Sequence, residues 1–434
     1  MTPVTIIWFR RDLRLNDNKA LYYALKENKN VLPLFVFDEN IIGALPADDH
    51  RVSFIYDALE DMNRQLTKLG SGLLVKRGKP MEVLQLLCEK IPVQSIYCNR
   101  DHEPYGRERD DELARFLKKE GVAFRQYTDH LIMEADEVLK QDEKPYQVFT
   151  PYGRRWRELL TEDHLKAYDA SDHYSHFSSR ELAHFPSRKE LKQKESLLKE
   201  PRKKFDQAHI SRYDENRDYP AREGTSRLGV HLRFGTISPR EVVKTGRQWN
   251  QTFVNELIWR EFYAMIMWYY PQVVTRSFKA KYDHIKWRNN EEEFERWKRG
   301  LTGYPMVDAG MRQLSETGYM HNRLRMLTAS FLSKHLLIDW RWGEAWFGEK
   351  LFDYELSSNN GGWQWSAGTG CDAAPYFRIF NPETQQKKFD PAGDFVRAWV
   401  PEIDTMDYPG PIVDHRSARE RCLTTYRKAL DKQE

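Results

Sequence analysis

Cysteine is scarce in this sequence: four residues, Cys88, Cys98, Cys371 and Cys422, with no CxxC pair and no histidine array nearby. That argues against a disulfide framework and against a bound metal, and it fits a reducing, cytoplasmic setting. No apolar run approaches the ~20 residues of a membrane span. The amino terminus also lacks a basic head followed by an apolar stretch, so no secretory signal is expected. An excess of one charge is missing too. Lys and Arg number 68 against 65 Asp and Glu, a net charge of +3, so any surface for a polyanion must be local. After the first strand-like stretch, Val4 to Phe9, the GxGxxG fingerprint is absent and Arg10-Arg-Asp-Leu-Arg-Leu-Asn-Asp17 stands in its place. A dinucleotide bound there in the usual Rossmann manner is therefore not expected. The charged run lies where open α/β sheets bind ligands, but a solvated surface loop reads equally well.

What is present divides unevenly along the chain. Twelve of the 13 tryptophans follow residue 150, so the two halves do different work. Up to about Thr128, β-branched runs alternate with helical stretches. Val4 to Phe9, Val31 to Phe37, Gly72 to Lys76, Ser95 to Asn99 and Val122 to Tyr127 read as strands. Asn18 to Glu27, Arg51 to Leu69, Pro80 to Ile91 and Tyr105 to Glu120 read as the helices between them. Such βαβ repetition predicts a parallel, Rossmann-like sheet in an α/β domain over 1–130. Residues 131–205 lose the alternation and read as an interdomain linker. Within it, Arg188 to Lys204 carries eight basic residues against three Glu and reads as a solvated face. From 206 to 434 the pattern is helical, with Pro239 to Trp249, Asn255 to Trp268, Glu291 to Arg299, Met306 to Glu316, Asn322 to Leu336 and Trp342 to Leu351 set off by Gly or Pro breaks.

Four motifs in the helical half carry chemistry. Asn359-Asn-Gly-Gly-Trp363-Gln-Trp365, running on through Asp372 to Arg378 and Pro382, combines glycines, amides, indoles and an arginine without a packing period. Glycines admit close approach of backbone, amides face ring heteroatoms and indoles offer stacking faces. The stretch therefore suits a large planar cofactor or a nucleobase, or a Gly-containing turn between aromatic-rich helices. Gly224-Thr225-Ser226-Arg227-Leu228 precedes a helix and suits either a pyrophosphate cradle or an N-cap. Glu256, Trp259 and Tyr263 share one helix face at i, i+3 and i+7. A carboxylate among aromatics needs a donor, which a ligand amide or an ion pair with Arg260 would supply. Asn322 and Met326, at i and i+4, share another face, and the arginines at 323 and 325 are expected to point elsewhere.

Taken together, in this order along the chain, these motifs resemble the photolyase and cryptochrome flavoproteins, most closely the class I DNA photolyases that act on cyclobutane pyrimidine dimers. The resemblance runs from Trp8-Phe-Arg-Arg-Asp-Leu-Arg14 to about Trp399 and is most specific in Asn255 to Tyr263, His321 to Met326 and Asn359 to Pro382. It implies the photolyase/cryptochrome fold: an α/β antenna-chromophore domain, a wrapping linker, and an all-helical domain holding FAD. By that resemblance Tyr213 and Thr225, Ser226, Arg227, Leu228 and Gly229 line the phosphate and adenine side. Asp353 and Glu355 face the isoalloxazine edge, Arg325 pairs with Asp353, and Asn359 lies beside flavin N5. Lesion contacts fall to Glu256, Trp259, Asn322, Met326 and Trp365, with Arg217, Arg323 and Arg378 near the DNA backbone. Trp363, Trp340 and Trp287 match the tryptophan chain that carries electrons to the flavin.

The implied activity is blue-light-driven cleavage of the dimer in DNA, a carbon–carbon lyase reaction, by a monomer without membrane association. A cryptochrome-type photoreceptor without repair is the alternative. Against it stand Asn359 and the full set of lesion-pocket residue types. Where folate-type antenna sites carry an Asn-Glu pair, Tyr105 and Gly106 stand here. This argues against folate and leaves a deazaflavin, a second flavin or an empty antenna site open.

Overall fold

All six side chains of β1 (Val4–Phe9) are buried, as in a strand covered on both faces. In the computed structural model, which describes residues 2–179, 181 and 183–431, β1 is the middle strand of a five-stranded parallel sheet. Its neighbours are β2 (Val31–Asp38), β3 (Leu74–Gly78), β4 (Val93–Asn99) and β5 (Ala123–Tyr127), in the order β3-β2-β1-β4-β5. Thr5 is in register with Val31 and Ile6 with Ile96.

Between the strands run α1 (Lys19–Glu27), α2 (His50–Lys68), α3 (Pro80–Lys90) and α4 (Pro104–Lys119). Their starts follow from sequence. Asn18 and Asp49 accept hydrogen bonds from the first free N–H groups of α1 and α2, whereas α3 and α4 open with proline, which has no N–H to leave unsatisfied. Ile6, Trp8, Leu34 and Ile96 share a core with Leu84 of α3 and Leu113 and Leu117 of α4.

This sheet belongs to one of two units, each assembled from separate stretches. One comprises Met1–Glu137, Leu160–Glu200 and Gly229–Thr245; the other comprises Val138–Leu159, Pro201–Leu228 and Gly246–Glu434.

Strand order reverses between β1 and β4, which makes the crevice past their carboxyl ends the place where such sheets take ligands. Here that crevice encloses only about 10 Å³, among Arg10, Arg11, Asp12, Asn99, Arg100, Asp101 and His130. Arg10 Nη1 donates to both Asp110 oxygens, at 2.5 and 2.7 Å. Asp12 Oδ2 accepts from Asn99 Nδ2 at 2.6 Å and from Asn18 Nδ2 at 3.0 Å. Asp129 receives Arg14 and, at 2.6 Å, Arg240 Nη2. The solvated-loop reading of Arg10 to Asp17 is therefore corrected, because Asp12 and Arg14 are buried. In the basic run Arg188 pairs with Asp57 and lies 4.1 Å over the Tyr56 ring, whereas Lys189, Lys192, Lys194, Lys199, Arg202 and Lys203 are exposed, as a solvated face requires.

The second unit has no sheet strand among its described residues. Its framework is α5 (Gln251–Tyr269), α6 (Pro305–Thr317), α7 (Asn322–Ser330), α8 (Trp340–Lys350), α9 (Leu356–Ala367) and α10 (His415–Leu430). A single core joins Met306, Leu314, Leu324, Leu327, Phe331, Trp340, Phe347 and Trp363. One helix was expected over Asn322 to Leu336, but α7 passes at Ser330 into a π-helical turn, Phe331–His335, in which Leu336 N donates to Phe331 O at 3.1 Å. One additional residue is accommodated there without ending the helix. Among the described residues no helix is long and apolar enough to cross a membrane.

Candidate active site

Asn359-Asn-Gly-Gly-Trp363 is helical, not a turn: it forms the middle of α9, which packs on α5, α7 and α8 at once. Its two glycines have different uses. A Cβ on Gly361 would come within 2.2 Å of the Tyr263 ring, so this position lets α5 and α9 touch. A Cβ on Gly362 would meet nothing within 4 Å, and Gly362 lines a cavity of about 380 Å³. Around that cavity α5 presents Glu256, Trp259, Arg260 and Tyr263, α7 presents Asn322, Arg325, Met326 and Ala329, and α8 presents Phe347. Residues at i, i+3, i+4 and i+7 share a helix face, so each helix delivers its set as one stripe.

Two ion pairs form the polar side. Arg325 Nη2 donates to Asp353 Oδ1 and Oδ2 at 3.1 and 3.0 Å, and its Nε is held by Met320 O at 2.8 Å. Arg260 Nε and Nη2 each reach a Glu355 oxygen at 3.0 Å, and Ser358 Oγ adds a bond at 3.2 Å. Arg260 grips Glu355 with two nitrogens and Arg325 reaches both Asp353 oxygens from one, so both carboxylates are fixed in orientation. Arg325 thus shares the cavity with Asn322 and Met326, which corrects the expectation that it points away. Arg260 does not pair with Glu256 as the simplest reading of the helix allowed. Glu256 instead takes Arg217, and both line the cavity.

Asn359 is anchored from behind. Its Nδ2 donates to Glu344 O at 3.0 Å and to Glu344 Oε1 at 3.1 Å. Its Oδ1 has no partner among the described residues, so that oxygen remains for a ligand N–H. Burial pushes the Glu344 carboxyl up to about 7. No spacing rule in the sequence pointed to Glu344.

On the rim, Asn322 Nδ2 lies 3.8 Å from Met326 Sδ. His321 caps α7 by accepting from Arg323 N at 3.1 Å, which requires a neutral ring nitrogen. Burial and the nearby Arg323 charge pull its pKa down to about 4. Trp365 and Trp259 both line the cavity. One face of Trp259 is stacked on Phe149, with ring centroids 3.7 Å apart.

Some expected residues stand outside the lining. Tyr213 is buried beneath Arg217, whose guanidinium carbon lies 5.3 Å from the ring centroid. Thr225 Oγ1 lies 2.9 Å from Tyr319 Oη, Arg227 pairs with Glu223, Ser226 Oγ accepts from Leu228 N at 3.4 Å, and Gly229 opens a short helix. Arg323 is engaged internally by Asp218 at 2.7 Å and by the Phe389 face at 4.2 Å. Arg378 is exposed, beside a Phe377 that is 62% exposed. The sequence reading noted this arginine beside an aromatic but gave Phe377 no role. Trp363 does line the cavity; it and Trp340 are buried with indole N–H groups that lack partners among the described residues, and Trp287 packs against the same core from its edge. Trp297, also passed over, lies edge-on to Trp363 with centroids 6.1 Å apart.

An apolar cavity with one charged, hydrogen-bonding side in a helical unit suits a large planar cofactor, and it stands in one chain with a parallel-sheet unit. Residues 5–170 match the family described as DNA photolyase, and residues 253–407 match the FAD binding domain of DNA photolyase. A deoxyribodipyrimidine photo-lyase of Escherichia coli is 37% identical, covering 98% of this chain and 98% of that protein. A bacterial class III photolyase from Agrobacterium tumefaciens superposes with a TM-score of 0.88 at 33% identity, over 99% of this chain and 98% of that one. An archaeal photolyase from Sulfolobus tokodaii with two FAD molecules gives 0.82 at 34% identity, over 98% and 100%. The chain belongs to the DNA photolyase family.

The cavity suits the family's FAD. Trp363, Phe347 and Leu351 are apolar walls suited to a flat ring system, and Asn359 Oδ1, Asp353, Glu355 and Ser366 are polar groups suited to its edge.

Proposed function

We propose that this protein is a deoxyribodipyrimidine photo-lyase, which uses blue light to split cyclobutane pyrimidine dimers in DNA. The observation that carries the reading is that a single cavity joins the residues suited to a flavin edge, Asn359, Asp353 and Glu355, to those suited to a dimer, Glu256, Trp259, Asn322, Met326 and Trp365.

Bound in this cavity in its reduced form, FAD would supply light-driven, reversible one-electron donation to the dimer. The protein's work is to bring the dimer in and hold it. A dimer leaving the duplex loses its stacking, and Trp365 and the free face of Trp259 replace it. Asn322 offers amide hydrogen bonds to the dimer's exposed edge, with the Met326 thioether packed beside it. Glu256, held by Arg217, meets the developing negative charge with an arginine one residue contact behind it. Arg217 thereby offsets a carboxylate that would otherwise oppose that charge. Arg378 and Arg323 serve the DNA backbone, the latter after exchanging Asp218 for a phosphate. At the opposite side Asn359 accepts a flavin N–H, and Glu344 fixes which way the amide points. Tyr213 and Thr225 to Gly229 bind the phosphate and adenine side, and Trp363, Trp340 and Trp287 relay electrons that restore the reduced cofactor.

Residues 1–130 form the antenna part, 131–205 the linker and 206–434 the flavin and lesion part of a cytoplasmic monomer. A second flavin is the antenna favoured by the neighbour that holds two FAD molecules. Repair of an oligonucleotide with one cyclobutane thymine dimer, assayed in blue light and darkness beside a (6-4) photoproduct, tests the reading. Light-dependent loss of the cyclobutane dimer alone is expected; no loss of either lesion by flavin-loaded protein would overturn it.

A further inference from the structure

Lys334 is 1% exposed and ranks among the largest fully buried side chains. It sits in the π-helical turn Phe331–His335, and its Nζ donates to Arg378 O at 2.8 Å. Its other close charged and titratable neighbours are Cys422, a buried thiol on α10, and the Arg378 side chain, while Arg421 of α10 donates to His335 O at 2.6 Å. Burial lowers its pKa to about 8. A buried ammonium carries a desolvation cost that an apolar side chain of the same length would avoid. What it holds is therefore informative.

The segment from Asp372 to Asn381 has little backbone bonding of its own; Arg378 N to Pro375 O at 2.8 Å is a tight local turn. Its attachment comes from side chains. Tyr376 stacks on Tyr426 of α10, centroids 5.6 Å apart and rings 11° from parallel, and Ile379 packs in the same cluster. Between these two inward residues, Phe377 and Arg378 face outward. Lys334 bonds the carbonyl at the carboxyl side of that outward pair. Together, Tyr376, Lys334 and Ile379 grip the segment at three successive points and leave the apolar and cationic pair projecting.

We propose that Lys334 is a positioning residue for DNA binding, whose buried ammonium holds the Arg378 carbonyl so that Phe377 and Arg378 stay presented to the damaged duplex. This rests on the repair reading for what the pair touches, and on geometry alone for the anchor. The π turn has a part in it. Its wider turn carries Lys334 with the side chain inside the core and bonded to the segment.

The test uses flavin-loaded, full-length protein. Lys334→Met keeps the length and removes the donor. Without DNA, backbone amide exchange across Tyr376–Phe380 is expected to rise at least tenfold, with exchange in α5 and α9 and the flavin content unchanged. Affinity for a dimer-containing oligonucleotide is expected to fall about tenfold, and Arg378→Ala added to Lys334→Met should weaken it little further, because both act through one contact. Repair yield per bound complex should stay within about twofold, and Lys334→Gln, which retains a donor, should recover part of the affinity. Should Lys334→Met not fold, the same exchange and affinity measurements on Lys334→Gln decide, with a smaller increase and a smaller loss expected. Unchanged exchange at Tyr376–Phe380, or affinity losses that add fully with Arg378→Ala, would overturn the proposal. Lys334-dependent DNA binding by a protein that repairs no dimer would support the anchor and defeat the repair reading instead.

Discussion

Two places in this molecule are built from arginine–carboxylate pairs, and only one has room for a ligand. Past the ends of β1 and β4, Arg10 closes on Asp110 beside about 10 Å³, and Arg14 and Arg240 close on Asp129. Beside α9, Arg325 and Arg260 hold Asp353 and Glu355 along one side of about 380 Å³. The first network uses up its own hydrogen-bonding capacity and locks the sheet's loops. The second lines its cavity together with the Asn359 side chain and aromatic walls. Buried charge alone does not mark a binding site; buried charge with unfilled volume and an unsatisfied acceptor does.

That contrast can be broken by exchanging the two properties. Filling the cavity should have the largest effect. Gly362→Leu points an isobutyl group into open space, so the chain should fold yet lose nearly all its flavin, as read from the 450 nm absorbance of purified protein. Opening the sealed crevice should do the reverse. Asp110→Ala strands the buried Arg10 and should cost about 3–5 kcal/mol in denaturant unfolding, with the flavin-to-protein ratio of the folded fraction unchanged.

Glu344 sharpens the comparison through pH. Folding raises its carboxyl from 4.5 to about 7, so between these values the native state holds the proton that the unfolded chain releases. Its contribution to stability is fully present below pH 4.5 and is lost as pH rises through about 7. Glu344→Gln should flatten this part of the pH–stability curve and raise stability at pH 8 by roughly 2 kcal/mol, while keeping the acceptor for Asn359. The smallest effect belongs to the rim. Glu256→Ala should retain flavin and lower repair about tenfold, roughly 1.4 kcal/mol, by removing one polar contact to the dimer and freeing Arg217.

Much of this was legible in sequence. The five strands declared themselves by short β-branched runs between helical stretches, and the cavity-lining stripes of α5 and α7 by their helical spacing. The paired amides of α9 misled because that helix is surrounded. Asn360 and Gln364 bond Val273 O, each at 3.0 Å, on one side while Asn359 and Trp363 face the cavity on another. A helix with polar work on several faces shows no amphipathic period. Glu344 and Lys334 were illegible for a different reason: each acts on one partner far along the chain, and no local pattern records such a contact. Arg260 was visible, but its choice of Glu355 over Glu256 depends on how α5 meets α9.

The most direct test of a shared cavity is spectroscopic. Flavin-loaded protein is titrated in the dark with a dimer-containing oligonucleotide and with the undamaged sequence, following the flavin absorption bands. A dimer seated among Glu256, Trp259 and Asn322 displaces water from the flavin's surroundings, so the bands should shift with the dimer alone, and with reduced amplitude in Glu256→Ala. Tight, dimer-selective binding that leaves the flavin bands unmoved would contradict the account.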